Sequence, residues 1–263
     1  MPTFDSFEEH NNPQTNTVTY DLTDKQSKAT FLTKVFTVMF ICLLITTVVA
    51  AGFGYGFQAL LLNMTASGQD TTNLVTGLIA MLIVSAIALL IMSFVLPITF
   101  MRGKHNILVP LIIYVTLMGI MLSAFTFVIE PIILVEAFGI TALIFGVMAL
   151  LGFLSKGRLA GLGTIMLGLI IGAGLLALMN FLMILVGGIS EANITISWIV
   201  SFMIFAFLMF LTMWDVARIN KIAERGMESG NNLVYYCAYI LYSDFISILI
   251  RVIYYLAIIT NRK

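Results

Sequence analysis

The chain has 263 residues, 60% of them hydrophobic and only 10% charged, with a formal net charge of zero. Its mean hydropathy is +1.07. Soluble domains are roughly 25% charged, so this composition describes a polytopic membrane protein with no room for a separate soluble domain. It carries no basic patch of the kind that binds nucleic acid.

The first 30 residues are polar, with Asp5, Glu8, Glu9, Asp21 and Asp24 set against Lys25 and Lys28. An acidic start with no immediate apolar run is not a signal peptide. It reads as a cytosolic tail of residues 1–30 ahead of a transmembrane domain of residues 31–263. Seven apolar stretches then meet the ~20-residue criterion for crossing a bilayer as helices. They run at 33–55, 74–100, 107–129, 132–154, 159–186, 194–215 and 233–260. The expected fold class is therefore all-α, polytopic, with seven transmembrane helices. Gln58–Asn73 and Val216–Asn232 are the longer joining segments. Glu130-Pro131 is a tight break between the third and fourth spans. Pro97 is expected to kink or end the second helix.

Lys and Arg set the orientation. Ten of the 13 basic residues fall on one side: Lys25, Lys28, Lys34, Arg102, Lys104, Lys156, Arg158, Arg218, Lys221 and Arg225. The alternate loops have none, which predicts a cytosolic N-terminus. Arg262 and Lys263 then fall outside, against the rule, and leave open a last segment that re-enters rather than crosses. In the fifth span, Gly168 and Gly172 have the small-xxx-small spacing that lets helices approach. Packing within the bundle or a weak homodimer would both use it. Cys42 and Cys237 lie in apolar spans without metal-ligand spacing, as buried thiols do.

The last span holds Asp244 and Arg251 at membrane depth, where a charge costs ~3 kcal/mol on insertion scales. Asp215 follows the apolar run of the sixth span. The apolar spacing of Val216, Ile219 and Ile222 continues that helix to about Arg225, and Gly226 is a stop signal. Counted along two antiparallel helices joined by a turn at Gly226–Asn231, Asp215 lies ~15 Å and Asp244 ~18 Å from the cytosolic end. The spacing therefore predicts a carboxylate pair. Two carboxylates in one low-dielectric site do not both ionise easily, and they titrate as a unit. Such a pair with nearby carbonyls suits a hard cation such as Ca²⁺. The competing reading is that each aspartate only hydrogen-bonds to backbone or to an arginine. Arg102, at the end of the second span, either anchors the helix by snorkelling or reaches inward. Arg251 has Glu136 and Glu130 as candidate partners. His105 sits in the loop beside Arg102, where a solvated histidine is the simpler reading. No catalytic motif is present, and no enzyme activity is expected.

At these residues the chain resembles the transmembrane Bax inhibitor motif family. Leu241-Tyr242-Ser243-Asp244-Phe245-Ile246 is similar to its L-Y-x-D-F-I signature. Asp215-Val216-Ala217-Arg218-Ile219 is similar to its D-x-x-x-I segment. The stretch from Glu136 through Ala137, Phe138 and Thr141 to Phe145 is similar to its A-F-x-x-T-x-x-x-F segment. The resemblance implies a last helix that is central and wrapped by the other six. It also implies a pH-regulated Ca²⁺ leak through a di-aspartyl pair, at Asp215 and Asp244, with Arg102 at a basic position able to interact with the pair. Ca²⁺ would bind transiently as the permeant ion, with no cofactor. Bacterial members often carry an arginine ten residues after the last-span aspartate; that position is Tyr254 here, and the charge is at Arg251. The short loops suggest a bacterial member in the plasma membrane. An alternative function is a membrane-stress or protease-modulating interaction protein without transport, using the polar tail to dock a membrane protease or a stress-response protein.

Overall fold

The computed structural model describes residues 25–68, 71–102, 106–155, 162–187, 191–224 and 231–261. Among them the chain is helical throughout, with no strand. The helices are α1 (Lys25–Ala66), α2 (Thr72–Arg102), α3 (Leu108–Leu122), α4 (Phe125–Val128), α5 (Pro131–Leu154), α6 (Leu162–Gly187), α7 (Glu191–Glu224) and α8 (Asn231–Asn261). Seven segments are long and apolar enough to cross a membrane, α3 and α4 together forming the third. Helices are the expected answer for such a sequence, because hydrocarbon offers the backbone no hydrogen-bond partner. Large apolar residues accordingly face outward, as at Leu62, Met101 and Val135.

Several boundaries differ from the expected ones. The segment after residue 55 is helix, not loop, as far as Ala66. It contains no proline, and an isolated glycine in a helix costs only ~1 kcal/mol. The helix stops at Gly68, whose φ of 67° suits a residue without a Cβ. Pro97 does not end α2, which runs on to Arg102. One lost backbone bond does not break a 31-residue helix packed on its neighbours. The third span is interrupted instead at Ser123 and Ala124. The Ser123 hydroxyl donates to the Ile120 carbonyl at 2.6 Å, and the backbone tightens to Ala124 N–H donating to Met121 O and Thr126 N–H to Ser123 O. A serine bonding back to its own turn competes with the helical ladder. At Glu130-Pro131 the break is as expected: Glu130 is extended (φ −61°, ψ 142°) and Pro131 opens α5.

The last helix is central. α1, α2, α3, α5 and α7 all pack on α8, while α6 reaches the bundle by packing on α7. α8 also has the largest buried share of the seven spanning segments, 39% of its apolar window. It is uninterrupted over 31 residues, ~46 Å of rise, long and apolar enough to cross a bilayer. α5 and α7 approach closely at Gly152. A Cβ there would lie 2.7 Å from the Met213 carbonyl oxygen and 2.9 Å from Val216 Cβ, so only glycine lets α7 run this close to α5. The fifth-span glycines behave unequally: Gly172 meets Met203 of α7, while Gly168 faces open space. Cys42 and Cys237 are buried and unpaired, as expected. Residues 1–24, His105, Gly161 and residues 225–230, where a turn was expected, lie outside the described residues.

Candidate functional site

The helical continuation past Asp215 is present: α7 runs nine residues beyond it, to Glu224. Asp244 lies 13 residues into α8. Measured along the helices from these adjoining ends, the two carboxylates are ~13 and ~20 Å deep. α7 and α8 pack against one another, and Asp215 is close enough to act electrostatically on Asp244. The two aspartates predicted as a pair thus lie within electrostatic reach of one another, on helices that pack together.

Their surroundings differ. Asp215 is half-buried and has Arg218 as its electrostatic partner. Arg218 is exposed and stands three residues on, a spacing that puts side chains on one helix face. Asp244 is only 6% exposed. Its neighbours Leu241, Tyr242, Phe245, Ile246 and Ile248 are all buried. Its Oδ2 is buried without any hydrogen-bond partner. A buried polar group left unsatisfied costs about 1–3 kcal/mol, so this arrangement calls for a proton, a water or a cation that completes it.

The frame around Asp244 is firm. Tyr242 is fully buried, and its hydroxyl lies 2.6 Å from Thr46 Oγ1 of α1. Thr46 also donates to the Cys42 carbonyl at 2.9 Å. Tyr114 of α3 meets the rings of Tyr239 and Tyr242 edge-on, with centroids 5.1 and 6.1 Å apart. On the other side, Phe138 and Phe145 of α5 close on Phe245 at 5.3 and 5.5 Å. A cleft of about 740 Å³ between α1, α5 and α8 has Phe245 in its lining. Apart from Thr33 and Thr37 its lining is apolar, and both hydroxyls are spent on their own helix. It offers nothing to a hydrated cation.

The other charges fall differently. α2 ends at Arg102, and Phe100 stacks on Tyr236 of α8 with centroids 4.1 Å apart. That places the end of α2 eight residues, or ~12 Å, along α8 from Asp244. The Arg102 side chain lies outside the described residues. Arg251 does not pair with Glu136 or Glu130, both of which are exposed. Its Nη1 donates to Ser201 Oγ at 3.4 Å, and Ser201 is also 3.0 Å from the Tyr255 hydroxyl. Trp198 stacks on Tyr255, and Phe205 meets it edge-on. Two contributors escaped the sequence reading. Arg218 was counted as a topology signal, although its i+3 spacing from Asp215 was there to see. The partners Thr46 and Tyr242 are 196 residues apart in sequence, and no local signal joins them.

Among the described residues no group of three His, Cys, Asp or Glu gathers as a metal cage. What the site can offer a cation is two carboxylates and neutral oxygens, the donor chemistry of a hard ion held weakly. No curated protein matches this sequence. The profile of one family, described as inhibitor of apoptosis-promoting Bax1, matches residues 28–261. That match covers all seven spanning segments and both aspartates, and the chain belongs to this family of integral, multi-pass membrane proteins.

Proposed function

We propose that the protein is a pH-regulated Ca²⁺ leak channel, gated by Asp215 and Asp244, with its N-terminus in the cytosol of a bacterial cell and no enzymatic activity. One observation carries the reading: a buried carboxylate oxygen without a partner, on the central helix, within electrostatic reach of a second carboxylate. An ionisable residue at membrane depth usually marks an ion or proton path. The concentration of basic residues at one end of the helices supports the orientation.

The mechanism follows from sharing a proton. When the pair holds a proton, a carboxyl–carboxylate hydrogen bond ties α7 to α8 and no net site exists for a divalent ion. When both carboxylates ionise, they repel each other and attract a cation. Ca²⁺ then enters as the permeant species, exchanging part of its water shell for carboxylate oxygens. The sign follows: flux rises as pH rises through the titration of the pair. The test is Ca²⁺ flux into liposomes containing only this protein, across a pH series. The double variant Asp215→Asn, Asp244→Asn should lose the pH response. A double variant that keeps the wild-type response would rule the mechanism out.

A further inference from the structure

We propose that Thr141, on α5, supplies a neutral oxygen ligand to the cation site at Asp244. This rests on the reading of Asp244 as a cation site, and it extends that site from two helices to three.

Among the described residues three threonines are nearly or fully buried: Thr46, Thr141 and Thr212. Thr46 donates to the Cys42 carbonyl and Thr212 to the Leu208 carbonyl, each four residues back on its own helix. This is the usual way for a threonine hydroxyl to be satisfied inside an apolar helix. Thr141 is 0% exposed, yet its Oγ1 bonds neither to its own helix nor to anything else. A hydroxyl so placed has its lone pairs open to a ligand from outside the polypeptide.

Its level in the bundle is given by the rings on either side. Phe138 and Phe145 stand three residues before and four after Thr141, on the same face of α5. Both close on Phe245 at nearly equal distance, 5.3 and 5.5 Å. Thr141 is therefore level with Phe245, the residue next to Asp244, on a helix that packs directly against α8. Two orphaned buried oxygens, Thr141 Oγ1 and Asp244 Oδ2, thus occur at one level of one helix pair. The remaining orphan among the described residues, Asn180 Oδ1, belongs elsewhere. Its amide nitrogen bonds Ser197 of α7, 18 residues or ~27 Å along that helix from Asp215. A carboxylate oxygen and a hydroxyl oxygen suit a hard divalent or trivalent cation. The hydroxyl also explains why two carboxylates can suffice where no third one gathers.

The test uses the full chain in detergent and terbium(III) as the probe, read by luminescence sensitised by neighbouring Tyr and Trp rings. Thr141→Val keeps the shape and removes the oxygen; Thr141→Ser keeps the oxygen. The expected result is that Thr141→Val weakens terbium binding about tenfold while Thr141→Ser stays within about twofold. Ion-free Thr141→Val should melt no lower than wild type, because the lost hydroxyl had no partner. Wild-type affinity in Thr141→Val, with binding lost in Asp244→Asn, would overturn the role of Thr141 and leave the carboxylate site standing. Wild-type affinity in both variants would instead overturn the carboxylate site. A lowered melting temperature in ion-free Thr141→Val would reassign Thr141 to packing. No terbium binding by the wild-type chain would overturn the subsite as well.

Discussion

Asp244 and Arg251 lie two turns apart on the same helix, and each interacts with a group of α7: Asp244 electrostatically with Asp215, Arg251 through a hydrogen bond to Ser201. Arg251 is half-buried and leans on a hydroxyl pair, Ser201 and Tyr255, whose phenol ring is held by Trp198 and Phe205. Asp244 is buried more deeply and keeps one oxygen with no hydrogen-bond partner among the described residues. One charge has been absorbed into the packing; the other has been left open. A membrane interior makes both costly, so the difference marks where the fold tolerates an unsatisfied group, and unsatisfied groups persist where something else binds.

The largest expected effect tests the open end of this contrast. Asp244→Leu should cut Ca²⁺ flux in liposomes tenfold or more, yet leave thermal stability unchanged or raised, because an orphaned oxygen costing about 1–3 kcal/mol is gone. A clear fall in melting temperature would show that the carboxyl is tied into the structure after all, and the contrast with Arg251 would break. Next comes the spacing of α7. Gly152→Ala puts a methyl against the Met213 carbonyl and Val216 and should cost about 1–3 kcal/mol by overpacking. It moves the helix turn that carries Asp215, so flux and stability should fall together, measured on the same preparation by liposome assay and thermal melt.

Smaller effects sharpen the comparison. Tyr242→Phe removes the bond to Thr46 but leaves Thr46 satisfied by the Cys42 carbonyl. The expected loss is about 1 kcal/mol in a thermal melt, with the pH response of flux retained. The smallest effect is at Arg251. Its one hydrogen bond is long, and Ser201 keeps Tyr255 when it is lost. Arg251→Met should therefore change stability by no more than about 0.5 kcal/mol and leave the pH dependence of flux where it was. A shifted pH profile in that variant would mean that Arg251 acts on the pair electrostatically across ~10 Å of helix.

Much of this was legible in the chain. Seven spans follow from hydropathy, because the length of an apolar run is a direct measure of bilayer thickness. That Asp215 and Asp244 come within electrostatic reach follows from counting residues along two antiparallel helices, since an α-helix has a fixed rise. The places where the reading failed are places where local signals compete. Pro97, expected to kink or end the second helix, does not end it and lies inside α2; Ser123, with no strong sequence mark, is where the third span breaks. Gln58–Asn73 looked like a loop because its polarity rises, yet α1 carries on to Ala66 and Gln58 donates to the Thr126 carbonyl across the bundle.

The sequence by itself determined the class of protein, the number of spans and the residues that do not belong in lipid. Those are properties of composition and of helical rise, and they need no knowledge of neighbours. Only the tertiary structure decided which of those residues are satisfied. Arg251 found the Ser201 hydroxyl on α7 rather than a carboxylate on α5, Thr46 found Tyr242 from the far end of the chain, and Asp244 Oδ2 and Thr141 Oγ1 found no partner among the described residues. A hydrogen bond depends on a few tenths of an ångström between side chains far apart in sequence, and spacing along one helix carries no information about that.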